Sequence, residues 1–403
     1  MPIFPIKKFA TASHSIFVTQ AIGSGSNRDA WVYNFSRQEL TQNVKNMISF
    51  YNLQRQEFTK EKHRCVKTEL TPNDFIDTDK TKISWTRSLK NSLAKNIPFE
   101  YMENDIINSE YRPFCTQWLY YSRGWIESPG IFNKIFPKGK NNLLICASGV
   151  GSNKAFSTLI VSKIPCLDMV EKGQCFPLYY YEERSKVMDN LFGNAGEKEY
   201  IRCDGITDFA LRQTCKLYGP KVTKEDIFFY VYGFLHLPSY RQEFAADLKK
   251  SLPRILFVDE PKQFWQIEKA GRALADIHLH YENQPAPDGV VVEGADSGNF
   301  IVKKMKFKSK KDKSVLIYNE DIRITNIPDA VYDYVVNGRS PVEWVMDRYQ
   351  VKTDKASGIT NDPNDWGREH NNPQYILNLL LSVMTVSLKT QEIVNGLPEI
   401  KFE

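Results

Sequence analysis

Ser26-Asn27-Arg28-Asp29-Ala30-Trp31-Val32-Tyr33-Asn34-Phe35-Ser36 begins as a polar turn, runs through an apolar aromatic stretch and closes on a helix signal. Ser36 precedes Glu39 by three residues. At that spacing a hydroxyl and a carboxylate can each satisfy a free N–H at a helix start. Leu40, Val44, Met47, Ile48 and Tyr51 then recur at helical intervals. Upstream, Ser15-Ile16-Phe17-Val18-Thr19 reads as a strand, and Gly23-Ser24-Gly25-Ser26-Asn27 as the turn after it.

Further along, Tyr111 to Tyr181 is strand-like, with apolar runs at Asn141–Ala147 and Ser157–Ile164. Prolines 113, 129, 137, 165 and 177 interrupt any long helix there. Helical patterns govern Ile206 to Tyr281. Thr223-x-x-Asp226 is a capped start, Pro238 suits a first helical position, and Phe264, Ile267, Gly271, Leu274 and Ile277 share a face. Val290 to Ile317 returns to strands, and Tyr375 to Val394 is helical. Thr71-Pro72-Asn73-Asp74, Asn283–Gly289 and Asn361–Asp365 read as loops. The expected fold class is α+β, a mixture of helices and strands.

The 403 residues allow two or three domains, and 42% hydrophobic with 25% charged content argues against bulk disorder. A net charge of +5 and a pI near 8.6 are mildly basic, so a role on nucleic acid depends on clustering. The seven cysteines (65, 115, 146, 166, 175, 203 and 215) form no C-x-x-C pair and are odd in number. Zinc and a secreted disulfide framework are therefore disfavoured, and reduced thiols are expected. No apolar run approaches the ~20 residues of a membrane span, and no signal pattern opens the chain, so a cytoplasmic location is expected.

Four groups could carry function. In Lys303-Lys304-x-Lys306-x-Lys308-x-Lys310-Lys311-x-Lys313, an extended strand would put Lys304, Lys306, Lys308 and Lys310 on one face, able to follow phosphates. The same pattern suits a solvated hairpin or an edge strand guarded by lysine. Ser148-Gly149-Val150-Gly151-Ser152-Asn153-Lys154 follows an apolar strand but lacks the Gly-Lys-Ser/Thr of a nucleotide-binding loop. Ser152, Asn153 and Lys154 are left as a polar loop able to contact DNA, or as a plain turn. Arg28, beside Asp29 after Gly-Ser-Gly, could face a ligand or form a structural ion pair. His278-x-His280 does not suit joint metal ligation on a helix, since the two residues point apart. No metal site and no catalytic residue is assigned. An Asn/Asp-Pro-Pro-Tyr/Phe loop, a glycine-rich cofactor loop and Walker motifs are missing.

The stretch over residues 26–36 resembles a segment late in the methyltransferase region of Type ISP restriction-modification enzymes. These single chains join nuclease, helicase, adenine methyltransferase and target-recognition parts. Tyr111-Arg112-Pro113-Phe114 with Trp118-Leu119-Tyr120-Tyr121 is similar to the junction with the recognition part. Cys175-Phe176-Pro177-Leu178-Tyr179, Thr223–Phe228, Tyr232–His236, Leu252–Ile255, Ala270-Gly271-Arg272 and Glu343–Tyr349 resemble segments of the C-terminal specificity domain. The resemblance implies a methyltransferase-like remnant over residues 1–110 and a target-recognition domain over 111–403. The latter would have strand-rich (111–200), helical (206–282) and mixed (290–403) parts. It also implies sequence-specific binding of double-stranded DNA without chemistry of its own. No cofactor is expected on this chain, S-adenosylmethionine and ATP belonging to a full-length or partner enzyme. The alternative is an interaction subunit that docks onto a separately encoded methyltransferase or helicase through its aromatic N-terminal segment. A free-standing nuclease is a third, weaker reading.

Overall fold

A computed structural model of the chain describes residues 3–6, 14–64, 70–184 and 199–402. Eight strands, interrupted by helices, build two four-stranded sheets. They are β1 (Ala21–Ile22), β2 (Tyr33–Asn34), β3 (Ile106–Arg112), β4 (Cys115–Tyr120), β5 (Leu144–Ala147), β6 (Thr158–Val161), β7 (Ile164–Pro165) and β8 (Gln174–Pro177). One sheet runs β1-β8-β5-β6 and is antiparallel throughout. The other runs β2-β4-β3-β7, with β3 and β7 parallel. Position 110, where the family resemblance divides the chain, lies inside β3, and this sheet takes strands from both sides of it.

Every residue of β5 and β6 is buried, because their sheet is covered on both faces. Leu144, Cys146, Leu159, Val161 and Cys175 enter one core, and Ile145, Ala147, Ile160 and Phe176 enter another. The second core is filled by four helices: α2 (Asp208–Tyr218), α3 (Lys224–Phe234), α4 (Pro238–Glu243) and α5 (Pro261–Leu279). The first is closed by α6 (Pro341–Arg348), α7 (Asn364–Glu369) and α8 (Tyr375–Asn395). The earlier helix α1 (Arg37–Arg64) presses Leu40, Val44, Met47 and Tyr51 against Leu119, Tyr120 and Trp125 in a third core.

Local signals behave as their chemistry dictates. Thr223 and Asp226 form a reciprocal cap, as do Ser340 and Glu343, and Pro238 opens α4. At α1 the Ser36 hydroxyl accepts the Glu39 N–H at 3.1 Å. The reciprocal carboxylate comes from Glu369, which accepts the Arg37 N–H at 2.8 Å and the Ser36 hydroxyl at 2.9 Å.

Four expectations need correction. Asn361–Asp365 is not wholly a loop, for Asn361 ends a strand begun at Thr360, and Asn364 and Asp365 open α7. Ser15–Thr19 is not a strand, for only Phe17 makes a β-bridge, to Ile206. The reason is divided pairing. Ile16 and Phe17 donate to Pro5 and Ile6, while Val18 donates to Gly205, so no single ladder forms. Thr71–Asp74 is not a loop but caps a short helix, Pro72–Phe75, because proline and an N3 aspartate serve a helix start as well as a turn. Nor is the lysine run one extended strand. Its only strand is β10 (Lys306–Phe307), which joins β9 (Val291–Glu293), β11 (Leu316–Ile317) and β12 (Arg323–Thr325) in the order β9-β12-β11-β10.

Candidate nucleic-acid interface

The loop after β5 is built around one carboxylate. Glu171 accepts the Ser152 hydroxyl at 2.6 Å and the N–H groups of Asn153 and Lys154 at 3.0 and 3.1 Å. Those bonds hold its carboxyl below the usual range, with the Ser152 bond the largest cause. Ser152 is buried, so its hydroxyl is a structural tie, whereas Asn153 and Lys154 are exposed. The Lys154 ammonium donates to the Asn337 carbonyl at 3.0 Å and lies 6.0 Å from the centre of the Trp344 ring.

Lys304, Lys306 and Lys308 are all exposed. They sit on and beside the edge strand β10, with Val302 and Met305 turned into the core. Lys308 approaches Asp312 at 3.9 Å, a weak exposed pair. The bonds of the Ser152–Lys154 loop run to Glu171 and Asn337, while the ion pair of Lys308 is to Asp312, so these bonds do not join the two groups.

Arg28 is buried, with only 4% of its surface exposed. It donates to the Thr86 hydroxyl and lies 5.5 Å from the Trp125 ring centre, while its Nε and Nη1 have no protein partner. Desolvation pulls its pKa down to about 10, opposed by Glu127. The neighbouring Asp29 pairs instead with Arg112, at 3.6 Å. His278 is a core residue bonded to Tyr232 and Thr390, and His280 bonds Asp276. Four cysteines are buried and two half-buried, all with free thiols, and Cys65 lies outside the described residues.

Sequence reasoning missed a cleft of about 530 Å³ beside the 26–36 segment. It lies between Asp29–Phe35 and the ribbon formed by Lys352–Thr353 and Thr360–Asn361. Gln117, Gln350 and Asn361 bring amides to it, Arg348, Lys352 and Lys355 bring positive charge, and Asp29 and Asp354 bring negative charge. Amide and guanidinium groups are the side chains that pair with base edges. The string Trp344–Tyr349, followed by Gln350 and Lys352, is the local signal that could have pointed there, but Gln117 comes from a distant strand. Among the described residues no helix is long and apolar enough to cross a membrane.

Residues 15–379 match the family model of the Type ISP C-terminal specificity domain. The chain belongs to this family. The Type ISP match includes residues 15–110, the segment whose resemblance is to the end of the methyltransferase region. Three solved structures share the fold over nearly the whole chain. A nuclease-deletion mutant of the Type ISP restriction-modification enzyme LlaGI, in complex with a DNA substrate mimic, is 38% identical with a TM-score of 0.83 over 100% of this chain. The ATP-dependent Type ISP enzyme LlaBIII, bound to DNA, is 36% identical with a TM-score of 0.84 over 100%. DrdV, in a DNA complex, is 28% identical with a TM-score of 0.79 over 98%. This specificity-domain chain spans 34%, 24% and 37% of those three proteins respectively. No curated protein matches it.

Proposed function

We propose that this chain recognises a specific sequence in double-stranded DNA for a Type ISP-like restriction-modification system and performs no chemistry by itself. One observation carries the reading. The family match spans residues 15–379, and the two similar Type ISP structures were both determined with DNA or a DNA mimic. The family is a specificity domain, which supports a non-catalytic role, with methylation, ATP hydrolysis and cleavage assigned to other parts or partners. No cofactor is required for binding in this reading, and the location is the cytoplasm.

Contacts divide by chemistry. Exposed cations position the protein on phosphates, and polar side chains read base edges. Lys154, Lys304, Lys306 and Lys308 are exposed and suited to the first task, and exposed Asn153 to the second. Buried Ser152 and Arg28 would act by holding the loops that carry the contacts. Selection of duplexes from a random pool with the pure chain tests the function. The expected result is one enriched sequence, bound without ATP or S-adenosylmethionine. Enrichment only when a partner methyltransferase is added would favour the interaction-subunit reading, and magnesium-dependent cleavage by the pure chain would overturn the non-catalytic one.

A further inference from the structure

The loop carrying Lys154 is a junction of several segments. Gly149 lies so close to the next turn that a Cβ there would meet the Lys172 carbonyl at 2.1 Å. Lys172 itself takes a left-handed backbone, φ +55°, and its ammonium donates to the Gly151 carbonyl at 2.7 Å. The Gly151 N–H donates to the Lys249 carbonyl at 2.8 Å, which draws in the short helix Asp247–Lys250. Lys154 reaches Asn337 and lies against Gly338, where an added Cβ would sit 3.2 Å from its side chain. Arg339, next in sequence, lies 5.2 Å from the centre of the same Trp344 ring that Lys154 approaches. Arg241 of α4 lies 5.7 Å from the ring of Phe156, two residues beyond Lys154.

Lys154 and Lys172 are each anchored through a backbone carbonyl, whereas Arg241 is half-buried against the core and bonded to the Leu235 carbonyl. A carbonyl fixes a cation in place without neutralising it. Lys154, Lys172, Arg241 and Lys249 form no ion pair among the described residues, and Arg339 pairs only with Asp347. The nearby Glu171 is already bonded to the loop's own hydroxyl and N–H groups. The lysines around β10 have no such anchors, so they must lose more side-chain freedom on binding.

Resting on the reading of the chain as a reader of duplex DNA, we propose that Lys154 and Lys172, held in place by carbonyls, form a seat for the phosphate backbone together with Lys249 and Arg339 beside them. Separate turns and a short helix, brought together by the fold, supply it. It holds the duplex in register while other side chains read bases, and it contributes equally to every sequence.

The test compares the wild-type chain with a Lys154→Gln/Lys172→Gln/Lys249→Gln variant and with Lys249→Gln alone. The single variant changes an exposed side chain and guards against misfolding of the triple one. Binding is measured across a salt series to the duplex selected from the random pool and to a scrambled duplex. Affinity should fall by the same factor for both duplexes. The slope of log affinity against log salt should flatten by about 0.9 for each phosphate that the variant no longer neutralises. Unchanged slopes in both variants, with wild-type binding intact, would overturn the seat and leave DNA recognition standing. So would a loss confined to the selected duplex, which marks base reading. Failure of the wild-type chain to bind either duplex would remove the functional reading and the seat with it.

Discussion

His278 shows how a lone titratable residue can be structural. Its Nδ1 lies 2.6 Å from the Tyr232 hydroxyl and its Nε2 lies 2.9 Å from the Thr390 hydroxyl. Thr390 gives its own proton to the Val386 carbonyl, so the ring donates from Nε2, and the Tyr232 hydroxyl, which already accepts the Ile160 N–H, gives its proton to Nδ1. That requires a neutral ring. Burial, with nearby Arg241 adding to it, pulls the pKa down to about 3. The unfolded chain therefore takes up a proton below about pH 6.5 that the folded chain refuses, and stability falls as pH drops through that window. The share of His278 between pH 7 and pH 5 is about 2 kcal/mol. Urea unfolding at the two pH values checks it, and His278→Gln should show a shallower pH dependence than wild type. An equal dependence in both would disprove the assignment. The poor geometry of His278-x-His280 as a metal pair was legible in the sequence. The two hydroxyls that hold the ring come from residues 46 and 112 positions away, and no local pattern marks them.

Helix elements show the same division. The crossing of α3 and α5 depends on two glycines. A Cβ on Gly271 would lie 1.9 Å from the Phe229 carbonyl, and one on Gly233 would lie 2.2 Å from that of Ile267. Gly271→Ala must push the helices apart, and overpacking of this kind should cost about 2–3 kcal/mol. A lowered urea midpoint with an unchanged m-value is the expected readout, and an unchanged midpoint would show that the helices adjust freely. Sequence periodicity placed Gly271 on the buried face of its helix, but not its partner. Caps divide likewise. Thr223/Asp226 and Ser340/Glu343 are local and readable, whereas Glu369 reaches the start of α1 from 333 residues away. The lysine run was legible as exposed charge. Its strand was not, because Val302 and Met305 turn inward and leave only two residues for the ladder with β11.

Across the whole molecule, the sheet β2-β4-β3-β7 ties the first hundred residues to the middle of the chain. A fragment of residues 111–403 would lose β2, most of β3 and all of α1, uncovering Leu119, Tyr120 and Trp125. It should show no cooperative thermal transition and should bind a hydrophobic dye. A sharp transition would instead mark 111–403 as an independent domain. By itself the sequence determined the mixed class, the helix starts, the buried strand runs and, through ordered family-like segments, the recognition role, because these depend on neighbouring residues or on long matched strings. Tertiary structure alone decided that Arg28 is buried, that Glu171 organises Ser152–Lys154, and that Lys172, Arg241, Lys249 and Arg339 gather around that loop. Such juxtapositions arise from chain crossings between residues far apart in sequence, and no periodicity or spacing encodes them.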